Sequence, residues 1–251
     1  MKKQLIYPLA ILAICQLPAR GQGQPPPSTI KQPSFSRWSI DLSLAPAFPV
    51  GKFGDKHYPD NEAGYARAGL NGELTVTYRL CHAVGLVIAA AEQENPMANI
   101  VSITSPGFTP LTVDNDHYTI TRLLAGGAFS HRLSSHGLSL RFHVLAGILK
   151  TSIPGFSYTY LSNTTGSRPE SGRADAVPLP WNFCYEGGAG LRWQSAGRLF
   201  LLLDAAYAGA NPDFHYNYSI KVNGNFFTSG EAEKKLPTGT IQLRLGAGLR
   251  L

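Results

Sequence analysis

The stretch WNFCYEGGAGLRW (181–193) alternates. Trp181, Phe183, Tyr185, Gly187, Ala189, Leu191 and Trp193 form one set; Asn182, Cys184, Glu186, Gly188, Gly190 and Arg192 form the other. A period of two marks a β-strand with two unlike faces. In a soluble sheet the aromatic face packs inward and the Glu/Arg face meets water. In a membrane the assignment reverses. Length favours the reversal: the steps from Trp181 to Trp193 make roughly 40 Å of strand at ~3.3 Å per residue. A tilt of about 45° turns this into roughly 28 Å of height, close to the ~25 Å apolar band of a membrane barrel. The two tryptophans then stand at the two interfaces, where an apolar ring with one N–H donor is best placed.

The rest of the chain reads the same way. Of 251 residues, 43% are hydrophobic and only 15% charged, with 26 Gly, 11 Tyr and 12 Phe. Soluble domains carry roughly 25% charge, so this composition suits a β-rich chain with little water-facing surface. No apolar run beyond the N-terminus reaches the ~18–20 residues of a membrane helix, which leaves a barrel as the spanning option. The start reads as a targeting segment: Met1-Lys2-Lys3, then the apolar LIYPLAILAICQL (5–17), then Ala19-Arg20-Gly21 with small residues at the −3 and −1 positions of a cleavage before Gln22. Residues 1–21 are therefore expected to be a signal peptide, and the Pro-rich QGQPPPSTIKQPSFS (22–36) opens a leader over 22–37. Without the signal the formal charge falls from +6 to +3, because Lys2, Lys3 and Arg20 leave with it. That is too weak to imply nucleic acid. Cys81 and Cys184, the cysteines beyond the signal, do not make a disulfide framework.

Over 38–251 the pattern predicts seven further strands: 38–48, 65–80, 83–93, 118–131, 138–148, 199–208 and 241–251. The third and fourth, 83–93 and 118–131, alternate poorly, and Phe200 and Leu202 blur the polar face of 199–208. Brief turns near Cys81-His82, at 133–137 and at 195–198 join strand pairs at one end. Long polar segments, 49–64, 94–117, 151–180 and 209–238, join them at the other. Four such loops are uncommon in a compact soluble domain, but they suit an outer-membrane barrel with periplasmic turns and external loops. The polar faces supply Asp41, Glu73, Arg79, Arg122, Arg141, His143, Glu186, Arg192, Asp204, Arg244 and Arg250 as a lumen charge network. An Arg facing lipid near the midplane costs about 2–4 kcal/mol, whereas one in a narrow lumen can pair with an acid. Trp38, Tyr78, Trp181, Trp193 and Tyr207 are the expected membrane girdles. The prediction is an all-β, eight-stranded antiparallel transmembrane β-barrel with short periplasmic turns and four long extracellular loops.

The chain resembles the small outer-membrane β-barrel domain family of Gram-negative bacteria, with an OmpA- and OmpX-like layout and features of the Bacteroidota-type members. The resemblance lies in the signal peptide followed by Gln22, in Pro49-Val-Gly-Lys-Phe-Gly54, in Gly64-Tyr65-Ala66 and in the closing Ile241-Gln-Leu-Arg-Leu-Gly-Ala-Gly-Leu-Arg-Leu251, and covers about 38–251. Leu251 departs from the aromatic residue that ends many assembly signals. The resemblance implies residence in the outer membrane, contact with its lipids and lipopolysaccharide, and insertion by the barrel-assembly machinery.

No motif assigns a reaction. His131, His136 and His143 lie close in sequence, but fall on a strand end, a turn and a lumen-facing position, which suits structural or solvated histidines. His215 and Ser219, with Asp213, share one loop. Gly187-Gly-Ala-Gly190 is mid-strand and has no phosphate-loop context. No catalytic residue, cofactor or metal is expected. Three functions remain open: a non-enzymatic envelope or surface-binding protein using its loops toward an extracellular ligand; a small channel or carrier; and a lipid-A-modifying enzyme.

Overall fold

The computed structural model describes residues 36–56, 64–98, 108–135, 137–162, 169–174, 176–194, 197–211, 213–222 and 225–251. The expected signal peptide and almost all of the leader lie outside the described residues. Fourteen strands follow in chain order: β1 (Trp38–Val50), β2 (Gly69–Arg79), β3 (Val84–Pro96), β4 (Phe108–Asn115), β5 (His117–Arg132), β6 (Leu138–Ile153), β7 (Phe156–Ser162), β8 (Pro169–Ala174), β9 (Val177–Pro178), β10 (Asn182–Gln194), β11 (Leu199–Ala210), β12 (Asp213–Val222), β13 (Asn225–Lys235) and β14 (Thr238–Arg250). Eight of them, β1, β2, β3, β5, β6, β10, β11 and β14, form a closed antiparallel ring. The chain ends close it: Leu42 lies opposite Ala247, and Ser43 opposite Gly246. The β6–β10 pairing then bridges the longest excursion between barrel strands, with Glu186 opposite Leu145.

Closure turns the usual soluble pattern inside out. The buried residues include Asp41, Glu73, Gln93, Arg122, Glu186, Asp204, Gln242 and Arg244, while Leu42, Ile88, Val144, Phe183, Leu203 and Leu245 are exposed. Strand sidedness enforces this, since alternate side chains must leave the wall on opposite sides. The opening stretch follows the rule: Phe183, Tyr185, Leu191 and Trp193 face outward, and Cys184, Glu186 and Arg192 face inward. In β3 the two sides are told apart by size more than polarity. Val87, Ala89 and Ala91 are buried, whereas Leu86 and Ile88 are exposed. That explains the weak alternation of 83–93 in sequence.

The second strand begins later than its pattern suggests. Tyr65 adopts φ 54°, outside extended backbone. Ala66 makes only an isolated bridge to Met97, and continuous pairing starts at Gly69. The long connections also hold regular structure that alternation did not isolate. Strands β4, β7, β8, β12 and β13 form a second sheet in the order β13-β12-β8-β7-β4.

The outward surface has a defined belt. At the turn end Trp38 packs on Tyr78 with ring centroids 4.7 Å apart, and Trp193 stands opposite Leu138 and Leu201. At the loop end Tyr185 and Tyr207 lie 6.1 Å apart, with Trp181 exposed just before β10. Glu92 and Lys150 both pair with Thr121 and are exposed, and they mark the loop-side limit of the belt. Sequence reading had not used them. Leu245 lies between Leu44 and Leu203 at mid-belt. Leu245→Arg is therefore expected to lower folding stability in liposomes by about 2–4 kcal/mol, as read by urea titration. Leu245→Met should leave it nearly unchanged.

Candidate functional site: a packed charged lumen with two unlike mouths

Eight strands enclose a lumen narrow enough for side chains to fill, and here they converge on Arg244. Its Nη1 donates to Glu73 Oε1 at 2.9 Å, and its Nη2 is paired with Glu186 Oε2. Its Nε and Nη2 also donate to Gln242 Oε1 at 3.1 and 2.8 Å. Asp204 Oδ2 lies 3.9 Å from Nη1. His143 sits between the acids, with Nε2 3.3 Å from Glu186 and Nδ1 3.7 Å from Asp204. These residues come from β2, β6, β10, β11 and β14, so one cluster ties together five of the eight staves. Gly188 leaves space for it: a Cβ there would meet His143 Cε1 at 2.5 Å and the Ala205 carbonyl oxygen at 2.8 Å.

Toward the loop end neutral side chains become the main partners, with Arg122 the charged member among them. Gln242 Nε2 donates to Gln93 Oε1 at 3.0 Å, and Arg122 Nη2 donates to Asn71 Oδ1 at 2.7 Å. Asn95 Nδ2 donates to the Arg67 carbonyl at 2.7 Å. Beyond it lies an apolar cap. Phe53, in a 3-10 turn after β1, meets Tyr118 edge-on at 5.2 Å, and Tyr118 donates its hydroxyl to the Gly64 carbonyl at 2.7 Å. Leu179 and Leu236 join the same buried cluster. Phe53 and Leu236 are 0% exposed, so this cluster is itself fully covered. The cap escaped sequence reading because, apart from Tyr118 on β5, its members are isolated residues in connections and have no period to reveal them.

The eleven expected lumen residues divide. Asp41, Glu73, Arg122, Arg141, His143, Glu186, Arg192, Asp204 and Arg244 are buried; Arg79 and Arg250 are half-buried at the turn-side rim. Arg192 does not reach Glu186: its guanidinium lies 3.5 Å above the Phe200 ring. Phe200, which blurred the polar face of its strand in sequence, thus provides an aromatic floor for a cation. Of the histidines, His143 faces the lumen and His131 the exterior, so the barrel wall separates them. His136 lies outside the described residues. No group of three or more potential metal ligands occurs among the described residues. Asp213, His215 and Ser219 lie along β12, with their side chains outside the described set. Neither Cys81 nor Cys184 forms a disulfide.

Solved structures share this architecture. Neisserial surface protein A aligns at 10% identity over 85% of this chain and 97% of its own, with TM-score 0.49. Small outer-membrane barrels are among the solved structures this chain is similar to, and so is the Escherichia coli outer membrane protease OmpT. Ail, the attachment invasion locus protein of Yersinia pestis, aligns at 17% identity over 86% of this chain and 99% of its own, with TM-score 0.43. A major outer membrane protein of Thermus thermophilus aligns at 10% identity over 85% and 99%, with TM-score 0.44. Neither the family models nor the curated proteins gave a match. The likeness concerns architecture alone, and the barrel assignment rests on the closed strand pairing described above.

Removing one partner of a buried ion cluster leaves the others uncompensated, at about 3–5 kcal/mol. Arg244→Met is expected to destabilise the barrel by that order, measured by urea unfolding in detergent. Adding Glu73→Gln and Glu186→Gln to the same chain should recover part of the loss, because the orphaned carboxylates are then gone.

Proposed function

We propose that this chain is an integral outer-membrane β-barrel whose lumen is a structural plug and whose function lies in the loop-side sheet. The observation that carries the reading is the contrast between the barrel's two surfaces. Its outside is a continuous apolar belt bounded by aromatic rings, and its inside is an ion cluster under an apolar cap. A backbone crossing lipid must satisfy all its hydrogen bonds internally, and a closed ring of strands does so. Short turns join barrel strands at one end, where both ends of the ring also lie, and we assign that end to the periplasm. Insertion by the barrel-assembly machinery and contact with lipid and lipopolysaccharide follow from this placement.

A lumen filled by an ion cluster under an apolar cap favours a non-conducting role over a channel, and we read the chain as non-enzymatic rather than as a lipid-A-modifying enzyme. Three of the four loop-side connections supply the strands of the five-stranded sheet. β4 and β13 form its two edges, and an exposed edge is a template for recognition by strand addition. Surface adhesion or ligand binding is the role that such a platform suits.

Separate measurements test each level. The protein should fractionate with outer membranes and migrate differently on SDS gels before and after boiling; recovery from the soluble periplasm would end the membrane reading. In planar bilayers the native chain should be silent, and Phe53→Gly combined with Leu236→Gly should raise the frequency of openings by unseating the cap. Steady conductance from the native chain would establish the channel reading instead. An altered lipid A mass spectrum on overexpression would establish the enzyme.

A further inference from the structure

The charges of the lumen are segregated along its length. The acids Glu73, Glu186 and Asp204 gather around Arg244 at mid-lumen. Toward the turns the basic groups outnumber the acids. Arg79, Arg141 and Arg192 line one recess there with Thr77, His82 and Ser130, in a volume of about 280 Å³ that includes its open side. The acid nearest this layer in strand register is Asp41, opposite Thr75 and Gly248. Arg192 is 5% exposed, yet its Nε and Nη2 make no hydrogen bond among the described residues. Its face is taken by Phe200, and the residue lines the recess. Arg141 is also buried, and its Nη2 reaches Thr77 Oγ1 only at 3.5 Å. Buried donors of this kind are costly when unmade, and guanidiniums gathered in one place also repel one another.

We propose that this turn-side recess binds a phosphate group, seating one of its oxygens against Arg192 and Arg141, with Arg79 closing over it from the rim. A phosphate answers both costs at once: it accepts from the unused N–H groups and it neutralises the clustered charge. Planar guanidinium forks match phosphate oxygens in pairs, which an ammonium cannot do. The Ser130 hydroxyl supplies a further donor. Because the recess is narrow, only an oxygen enters fully and the rest of the group stays in the mouth. The ligand is thus free phosphate or the phosphate of a lipid headgroup. Trp38, Tyr78 and Trp193 stand at the same end, at the height where headgroups begin. The headgroup source rests on the membrane reading above, whereas the free-phosphate source does not.

The test uses folded full-length protein in alkyl maltoside micelles, with inorganic phosphate titrated by calorimetry at constant ionic strength. Saturable binding is expected, stronger than for chloride. Arg79→Gln, at the half-buried rim where folding tolerates change, should weaken it about tenfold, in keeping with one charge-assisted hydrogen bond lost. Arg192→Gln should abolish it while the heat-dependent gel shift shows that the barrel still forms. Repeating the titration in nanodiscs of phosphatidylglycerol separates the sources: phosphate binding suppressed there identifies the headgroup, and binding unchanged there identifies free phosphate. No saturable binding by the native chain, or binding indifferent to both substitutions, would overturn the proposal. So would binding that emerges only in Asp41→Asn, since Asp41 would then be the native counter-ion. A failed membrane reading would show separately, as absence from the outer-membrane fraction.

Discussion

The pairing of Arg244 with Glu73 and Glu186 is the interaction on which the interior depends. A ring of eight strands leaves a core too narrow for bulk water, so an inward polar group left without a partner is costly. One guanidinium offers five donors in a plane, and here they serve acceptors on β2, β10 and β14 itself. The cluster ties strands that are far apart in sequence and that would otherwise be held only by their wall neighbours. A hydrophobic filling of equal volume would stabilise comparably or better, but it would erase the difference between the two faces of each strand. Polar inside against apolar outside fixes the register, because a slip of one residue would send Arg244 outward and Leu245 inward.

That same rule explains what could be read from the sequence. Strands such as WNFCYEGGAGLRW carry their sidedness in residue type, so both membership of the barrel and orientation were legible. Strand β3 hid its sidedness because Ala and Val face inward where the lumen is crowded, and size does not register as polarity. The full extent of β6, to Ile153, and of β14, from Thr238, went unseen because above the belt the outward face need not be apolar. Tyr65 shows the opposite error: alternation continued in residue type while the backbone had left the strand. The second sheet lay beyond reach for a further reason. Its pairings, such as β12 with β8, join segments from different connections, and nothing local in either specifies the other.

The candidate site divides in the same way. The lumen charges were legible one by one, since each occupies an inward position of an alternating strand. How they group was not. Glu186 and Arg192 share a strand and a face, yet the first belongs to the central cluster and the second rests on Phe200. Strand rise separates them by roughly 20 Å, so an ion pair within one strand was never available, and each takes partners from across the barrel. The apolar cap follows from the same geometry. Where the wall ends, backbone groups lose their ladder, and Phe53, Tyr118, Leu179 and Leu236 keep water from the buried amides of Gln93, Asn95 and Gln242 beneath them.

The two ends of the barrel therefore differ for physical reasons. The loop end has enough chain to fold over itself, so its last inward layer can be neutral and dry. The turn end has short connections between its strands and no cap among the described residues, so its last layer meets water or a partner from outside. Arg37, Arg132 and Arg198, all exposed at that end, add to the rim charge of Arg79 and Arg250. Such a mouth is stable when anions are at hand, and the phosphates of a membrane leaflet are an abundant supply. In a bilayer, then, the basic end of the barrel faces the layer best able to neutralise it.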